Sequence, residues 1–261
     1  MQTKFSDLTD SQWQYMEKIL ENEYGRRKRK HDLRTIINAI LWITRTGVQW
    51  RNLDSRFPYW QIVYYYFHKW CRTGFLKQLL RGLVAAERQG LGREPTASRV
   101  AVESQSVKKV GFIHLDTGIA GGKLVNGRKR HLAVDSLALP LAIAVTPAQV
   151  YDGHGGFELP WQMEEISNRI GLVCADQTYR GEFSAVVENI YKWKIEISQK
   201  PESKQGFVPQ KGRWQVERSF AWLNFFRRLS RDYEKTVEAS VTFIQLAFCS
   251  IIFARNPSLE I

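Results

Sequence analysis

The hydrophobic periodicity of the sequence changes near residue 90, and this change constrains the fold more than any other feature. Before it, apolar residues recur roughly every three or four positions, a spacing typical of amphipathic helices. After it, short apolar runs bounded by turn residues predict strands. The stretch between the two patterns, QGLGREPTASR, carries glycine, proline and serine and indicates a linker. We therefore predict a helical domain at residues 1–92 and a mixed domain, of the α+β or α/β class, at residues 93–261.

The first domain contains signals for the start and end of helices. Thr9 and Gln12 form a capping-box pattern before a helix. A second apolar helix ends near Gly47, a plausible C-cap. A third helix follows Pro58, and its apolar stripe is expected in the core. That stripe consists of Tyr59, Val63, Tyr66, Phe67 and Trp70.

The third helix also has a polar face, which is a candidate DNA-reading surface. It consists of Gln61, Tyr65, His68 and Arg72. Glutamine, histidine and arginine can reach base edges or phosphates in a groove. Two helices with a polar-faced second member match the helix-turn-helix plan. The loop between Gly47 and Pro58 is longer than the usual tight turn.

The charge of the chain favours a polyanionic partner. Thirty-eight Lys and Arg stand against 26 Asp and Glu, which gives a formal net charge of +12 and a pI near 9.7. Nucleic acid is the commonest partner of such a chain, and a basic surface without a specific partner is the alternative. Arg26, Arg27, Lys28, Arg29 and Lys30 form an unbroken basic run. That run is either a solvated charge cluster or a segment that contacts phosphates.

Other sequence features indicate the cellular location of the protein. The three cysteines are far apart and lack metal-ligand or redox spacing, which fits a reducing cytosol. The N-terminus shows no secretory signal, and the apolar stretches are shorter than the roughly 18 residues that span a bilayer. We therefore expect a cytoplasmic protein with no membrane partner and no small-molecule substrate.

Three carboxylates of the second domain are candidates for a metal site. Glu103 ends the apolar segment SRVAVE, and Asp176 directly follows the buried run IGLVCA. Glu217 lies in the late helix GRWQVERSFAW. Sites in open α/β sheets form at strand ends. Carboxylates that converge there stay ionised when a cation is present, and Mg²⁺ prefers oxygen ligands of this kind. A basic protein with such a site suits phosphodiester chemistry.

Each acid also has an ordinary structural explanation. Asp176 fits the N-cap of the following turn. Glu217 fits an ion pair with Arg213, four residues earlier on the helix. Asp116 and Asp135 are further acids of the same domain, and Asp135 is explained as a turn residue. Spacing alone leaves both interpretations of each acid open.

Several strings in order along the chain resemble one family. They are LTDSQW, NAILWITRTGVQWRNL and FPYWQIVYYYFHKW in the first domain, then ESQSVK, GGKLVNGRKRHLAVDSLALPLAIAVTPAQVYDG, ADQTYRG and GRWQVERSFAWLNFFRRLSRDYE. Together they resemble the DDE transposases of bacterial insertion sequences, in the group numbered five and related to group four. The resemblance covers nearly the whole chain.

The resemblance implies a ribonuclease-H-like catalytic domain, with a mixed sheet flanked by helices, that uses Mg²⁺, for which Mn²⁺ substitutes. It implies DNA cleavage and strand transfer at terminal inverted repeats, a homodimer on double-stranded DNA, and a bacterial, nucleoid-associated location. The metal-binding and catalytic acids carried over from it are Glu103, Asp176 and Glu217.

Three positions depart from the family's pattern. The first acid is normally aspartate, and here it is Glu103. Thr178 stands where the family has glycine, and Gln210 where it has tyrosine. Glutamate is longer by one methylene, and a misplacement of about 1 Å can cost on the order of 10²-fold in rate. The chain is therefore an active enzyme, a weakened one, or a repurposed copy that still binds DNA. A nuclease of the same fold that performs no strand transfer is a further hypothesis.

Basic residues of the second domain extend the predicted phosphate surface, with a plain solvated face as the alternative. They are Arg128, Lys129, Arg130, Arg213, Arg218, Arg227 and Arg228. Together with the run at residues 26–30 and the polar face of the third helix, they complete the predicted DNA-binding set.

Overall fold

The computed structural model describes residues 5–24, 31–122, 124–198 and 214–256. The chain divides into two compact units. The first comprises Met1–Arg93, Leu223–Ser230 and Glu238–Ile261, and the second comprises Glu94–Trp222 and Arg231–Val237. The division into domains 1–92 and 93–261 stays a prediction, and the units differ from it in grouping the last helix with the first unit.

The first unit is helical, as the apolar spacing predicts. Its helices are α1 (Asp10–Tyr24), α2 (Leu33–Thr46), α3 (Trp60–Thr73), α4 (Phe75–Gly90) and, near the end of the chain, α9 (Val237–Arg255). The predicted capping box forms: the Thr9 backbone N–H donates to Gln12 Oε1 at 3.1 Å, and the Gln12 N–H donates to Thr9 Oγ1 at 3.3 Å. Gly47 ends α2 in the left-handed conformation, with φ 71°, as predicted.

Helix α9 forms part of the core of the first unit. Most of its side chains are buried, among them Phe243, Phe248 and Ile252. Among the described helices, α9 is long and apolar enough by length and composition to cross a membrane. Because 67% of its apolar stretch is buried inside the protein, it also has the character of a core helix.

Helix α3 places most of its predicted stripe in the core. Val63, Phe67 and Trp70 are buried there. The prediction for Tyr59 is wrong, because its side chain is 65% exposed. Tyr59 is the N-cap of α3 and has a non-helical ψ of 135°, so the helical spacing does not reach it. The helix-turn-helix plan itself stays a prediction.

The second unit contains a mixed sheet, as predicted. Its strands are β1 (Arg99–Lys108), β2 (Gly118–Ala120), β3 (Val125–Val134), β4 (Pro140–Pro147), β5 (Leu172–Ala175) and β6 (Lys194–Ile197). The strand order is β2-β3-β1-β5-β6, and β4 also pairs with β3. Strand β3 runs antiparallel to β1, β2 and β4, whereas β5 runs parallel to β1 and β6.

Helices cover one face of this sheet. They include α6 (Glu158–Glu164) and α7 (Glu182–Asn189), which follow the short α5 (Asp152–Gly155). An apolar cluster joins sheet and helices. It contains Val100, Val102, Ala133, Ala144, Val173 and Ala175 from the strands and Leu159, Met163, Phe183 and Val187 from the helices. Helix α8 (Trp214–Leu223) comes later in the chain.

Strand β1 is longer than the sequence predicts. The apolar run suggested a strand that ends at Glu103, but β1 continues to Lys108. The continuation pairs with β3, in register from Ala101 with Val134 to Lys108 with Gly127. Glu103 therefore lies within β1 and not at its end. Of β1 and the neighbouring strand β5, only β5 ends close to the position of Glu103.

Candidate active site

The register of two parallel strands brings Glu103 and Asp176 to the same level. Strand β1 pairs with β5 with a constant offset, from Arg99 with Leu172 to Ala101 with Cys174. That offset is 172 − 99 = 73, which equals the separation of the two acids, 176 − 103 = 73. Two residues beyond the last pair, β1 carries Glu103, and Asp176 is the first residue after the end of β5.

The two acids also belong to one face of the sheet. Val100 and Val102 of β1 point into the apolar cluster, and so does Ala175 of β5. Successive side chains of a strand point to opposite faces. Glu103 and Asp176 therefore belong to the face opposite that cluster, and both side chains are half-buried.

The Asp176 carboxylate is held by Thr178. Asp176 is the N-cap of a 3-10 turn, Gln177–Tyr179, with extended backbone at ψ −179°. Its Oδ1 accepts hydrogen bonds from the Thr178 backbone N–H at 2.9 Å and from the Thr178 hydroxyl. The N-cap interpretation of Asp176 is thus confirmed. The residue that replaces the family's glycine supplies a side-chain donor to this acid.

Glu103 has a looser local contact. Its Oε1 accepts a hydrogen bond from the backbone N–H of Ser104 at 3.3 Å. Ser104 lies on the opposite face of β1, toward the apolar cluster, so the contact uses its backbone only. The longer glutamate side chain therefore turns back toward its own strand.

Helix α8, which carries Glu217, packs near the same face of the sheet. The Ser219 hydroxyl donates to the Ala138 carbonyl, in the turn between β3 and β4, at 2.9 Å. Gln215 lines a small cavity together with Arg99 and Ala101 of β1. Ala101 shares its face with Glu103, two residues along the strand. Glu217 is half-buried on this helix.

The assembly of all three acids into one metal site stays a prediction. Within the ranges that the structure describes, no three His, Cys, Asp or Glu side chains form a group that could hold a metal ion. The predicted pair of Glu217 with Arg213 lies outside the described residues, and so do the basic run at 26–30 and Gln210. Asp135 has its predicted turn role, since its carboxylate accepts from the Leu137 and Leu139 N–H groups.

Two family matches cover most of the chain. Residues 8–80 match the family described as "Putative transposase of IS4/5 family". Residues 94–252 match the family described as "Transposase DDE domain", and this match alone covers more than half of the 261 residues. The chain belongs to the DDE transposase family. The family assignment made from the sequence is therefore confirmed, whereas the role of glutamate at residue 103 stays a prediction.

Individual relatives match parts of the chain. The "Putative transposase for insertion sequence element IS402" of Burkholderia cepacia is 31% identical over 133 residues, 48% of this chain and 62% of that protein. "Uncharacterized protein y4sN" of Sinorhizobium fredii is 28% identical over 74 residues, 28% of this chain and 59% of that protein. The chain thus spans less than two thirds of these two proteins.

A shorter relative is covered almost completely. The "Putative transposase for insertion sequence element IS6501" of Brucella ovis is 32% identical over 136 residues, 49% of this chain and 98% of that protein. No solved structure is significantly similar to the chain.

Two arginines predicted to contact DNA in this DDE transposase chain are buried instead. Arg128 is 0% exposed and Arg130 is 3% exposed. Arg128 forms an ion pair with Asp232. Burial lowers the pKa of the Arg130 guanidinium to about 10, and the nearby Asp232 opposes this shift. Lys129, between them, pairs with Asp152 at 2.6 Å. The prediction of an exposed phosphate surface is therefore wrong for Arg128 and Arg130.

A third predicted contact, Arg228, is also buried. Its guanidinium lies 5.0 Å from the ring centre of Phe243 and 6.0 Å from that of Trp50, within the first unit. These aromatic contacts explain why a cationic side chain lies in an apolar setting. The neighbouring Arg227 is exposed, and its predicted contact with DNA stays a prediction.

The polar face of α3 is accessible, as a DNA-reading surface requires. Gln61, Tyr65 and Arg72 are exposed, and His68 is half-buried against the Tyr64 ring. Burial lowers the pKa of the His68 imidazole, and the positive charge of Arg72 lowers it further. His68 is therefore neutral near pH 7. The contact of this face with DNA stays a prediction.

The sequence interpretation assigned no role to two tryptophans that flank Arg218 on α8. The Arg218 guanidinium carbon lies 4.9 Å from the ring centre of Trp222 and 5.7 Å from that of Trp214. The spacing Trp-x3-Arg-x3-Trp places all three side chains on one helix face. That spacing is visible in the sequence and could have identified the group.

Proposed function

We propose that the chain is an insertion-sequence transposase that catalyses metal-dependent DNA cleavage and strand transfer at terminal inverted repeats. Its membership of the DDE family supports an enzyme that acts on DNA. The observation that carries the proposal is the β1–β5 register, because its offset of 73 equals the separation of Glu103 and Asp176. Two acids on adjacent strands and one face are the start of a carboxylate site.

The donor chemistry suits Mg²⁺, with Mn²⁺ as its substitute. Carboxylate oxygens are hard ligands, and two half-buried carboxylates on one face suit a divalent cation. Glu103, Asp176 and Glu217 would hold it. When bound, such an ion polarises a phosphodiester and lowers the pKa of a bound water or hydroxyl.

The side chains of the protein itself would orient this site. Thr178 donates two hydrogen bonds to one oxygen of Asp176, which would set the direction of the carboxylate. The second oxygen would then be the one offered to the metal. Ser219 anchors α8 near the sheet and so limits the positions that Glu217 can take. Side chains held in this way reduce the reorganisation needed for reaction.

DNA would bind through basic and polar groups. We assign this role to Arg218 and Arg227, to the exposed face of α3, and to the basic run at residues 26–30. The charge of Lys129 is balanced by Asp152, so its predicted contact with DNA would require this ion pair to open. The ribonuclease-H-like arrangement, the helix-turn-helix plan, a homodimer on paired DNA ends and a cytoplasmic, nucleoid-associated location belong to the same proposal.

A second candidate function rests on Glu103. If its longer side chain misplaces the first carboxylate, the chain is an impaired or repurposed transposase that binds DNA without cutting it. A nuclease of the same family that cuts without joining is the third candidate. The three candidates differ in products: joined DNA, cut DNA, or an intact complex.

One assay separates these candidates. A labelled duplex that carries the flanking inverted repeat and a target duplex are incubated with Mg²⁺ or Mn²⁺ and either the wild type or Glu103→Asp. Cleavage and joining by the wild type support the transposase, and cleavage without joining supports the nuclease. Cleavage by Glu103→Asp alone supports the impaired enzyme. Binding without cleavage by either protein refutes the catalytic assignment.

A further inference from the structure

Three side chains form a ladder on the exposed face of α8, and we name it the Trp-Arg-Trp ladder. Its members are Trp214, Arg218 and Trp222, each four residues from the next. Helical residues four apart are neighbours, so the guanidinium lies between an indole on the N-terminal side and one on the C-terminal side. The distances of 5.7 Å and 4.9 Å to the ring centres are within the range of cation–π contacts.

The ladder faces outward. Val216, Ser219 and Phe220 occupy the buried side of α8, whereas Arg218 is exposed and Trp214 is 41% exposed. Among the described carboxylates, none forms an ion pair with Arg218, whose contacts are with the two rings. Trp214 is a large apolar side chain that is exposed beside the cationic Arg218, and the chain has a net charge of +12. These features are typical of a surface that binds an anionic partner.

The geometry decides which part of the anion is recognised. The Arg218 guanidinium carbon lies within 5.7 Å of both ring centres, so the two indoles occupy space next to it that a stacking base would need. Arg218 is exposed, and the N–H groups of a guanidinium match two oxygens of a phosphate. Lysine could not replace arginine here, because an ammonium lacks both the planar face and the fork.

We propose that Trp214 and Trp222 are positioning residues that hold the Arg218 guanidinium as a fixed fork for one phosphate of the DNA strand next to Glu217. This inference rests on the proposed function, since it takes DNA as the partner. It adds the part of the DNA that is recognised, a single backbone phosphate, and the two tryptophans that fix its receptor. Because the two rings hold the guanidinium in place before DNA binds, less side-chain entropy is lost on binding.

The first test measures DNA affinity against salt for the full chain without divalent metal. Arg218→Ala is expected to weaken binding roughly tenfold and to reduce the salt slope by about 1. Trp214→Leu is expected to weaken binding roughly two- to fivefold, but to have no effect in the Arg218→Ala background. Trp222→Phe, which keeps an aromatic face, is expected to bind within about twofold of wild type. Lys194→Ala, which removes an exposed charge from β6, is the matched control and is expected to leave binding unchanged.

The second test identifies the phosphate. Single neutral methylphosphonates are placed in turn along the cleaved strand near the inverted-repeat end. At one position the wild type is expected to lose roughly tenfold in affinity, and Arg218→Ala is expected to lose nothing. A merely structural arginine would not produce this coupling. Circular dichroism verifies that each variant is folded.

The outcomes distinguish a failure of this inference from a failure of the proposed function. If no position shows the coupling, or if Trp214→Leu weakens binding equally with and without Arg218, the ladder does not hold a phosphate fork. If either of these results is found with a wild type that cuts and joins DNA, only the inference about the ladder fails. If the wild type does not bind the DNA at all, the inference and the proposed function fail together.

Discussion

Replacing Arg128 with methionine tests whether this arginine is structural or contacts DNA. Its side chain is 0% exposed and that of its partner Asp232 is 2% exposed, with 3.3 Å between Nη1 and Oδ1. The guanidinium also donates to backbone carbonyls in two separate segments of the second unit, those of Leu115, Asp116, Glu234, Lys235 and Thr236. Arg128→Met removes these donors and leaves the Asp232 carboxylate buried without its partner.

The magnitude follows from that burial. Removing one member of a buried ion pair costs about 3–5 kcal/mol, because the remaining charge loses its hydrogen-bonded partner. For a chain of this size each kcal/mol moves the unfolding midpoint by about 2–4 °C. Arg128→Met should therefore unfold roughly 6–20 °C below the wild type. The midpoint is measured by circular dichroism at pH 7, with Lys194→Ala as a surface control that is expected to shift it little.

A second substitution strengthens the test. Arg128→Lys, which keeps a positive charge beside Asp232 but supplies fewer donors than arginine, should lose less stability than Arg128→Met. An Arg128→Met protein that unfolds at the wild-type temperature but binds DNA more weakly would refute the reasoning. Arg128 would then be a phosphate contact, as its sequence context suggested.

Two further predictions concern the catalytic face and the opposite face of the sheet. Thr178→Ala removes the hydroxyl donor to Asp176, so the cleavage rate should fall roughly 10–100-fold, while Thr178→Ser should keep most of it. Burial lowers the pKa of His131 from 6.5 to about 4. Below pH 6.5 the unfolded chain therefore binds the extra proton, and up to about 3 kcal/mol of stability is lost as the pH falls from 6.5 to 4. Above pH 6.5 this contribution is constant.

Each of these predictions has its own control. Single-turnover cleavage at matched DNA occupancy separates the effect of Thr178 on the rate from any effect on binding. For His131, unfolding midpoints of wild type and His131→Gln are compared from pH 4 to 7.5. The difference between the two curves should be flat above pH 6.5 and shrink below it. A constant difference across the range would contradict the burial argument.

Local features of the fold were predictable because they depend on neighbouring residues. The capping box at Thr9 and Gln12, the C-cap at Gly47 and the turn at Asp135 each involve residues within about five positions of one another. Asp176 was found at the end of a buried strand by the same local logic. In each case the residue type alone limits the backbone conformation.

Features that depend on distant parts of the chain were not predictable. Arg128 and Arg130 stand in a basic run that resembles a solvated surface. The partner that covers Arg128, Asp232, is 104 residues away in sequence. Arg228 is covered in the same way by Phe243 and Trp50. The extension of β1 past Glu103 likewise needs β3 as its partner, which no local pattern reveals.

The site was predictable in part for the same reason. Sequence identified the acids through family resemblance, and their spacing of 73 has a structural counterpart in the β1–β5 register. The role of Thr178 as a donor to Asp176 was not visible, because it depends on the backbone turn between them. The departure from glycine at residue 178 is therefore a hydrogen-bonding change as well as a change of side-chain size.

The most direct test of the central claim compares two aspartates in one cleavage assay. Asp176→Asn removes the proposed metal-binding charge, whereas Asp116→Asn removes an exposed charge of the same unit at a left-handed backbone position that asparagine tolerates. With Mg²⁺ and the inverted-repeat duplex, Asp176→Asn should cut at least about 10³-fold more slowly than wild type, and Asp116→Asn should cut at the wild-type rate. Wild-type cleavage by Asp176→Asn, or its loss in Asp116→Asn alone, would contradict the account.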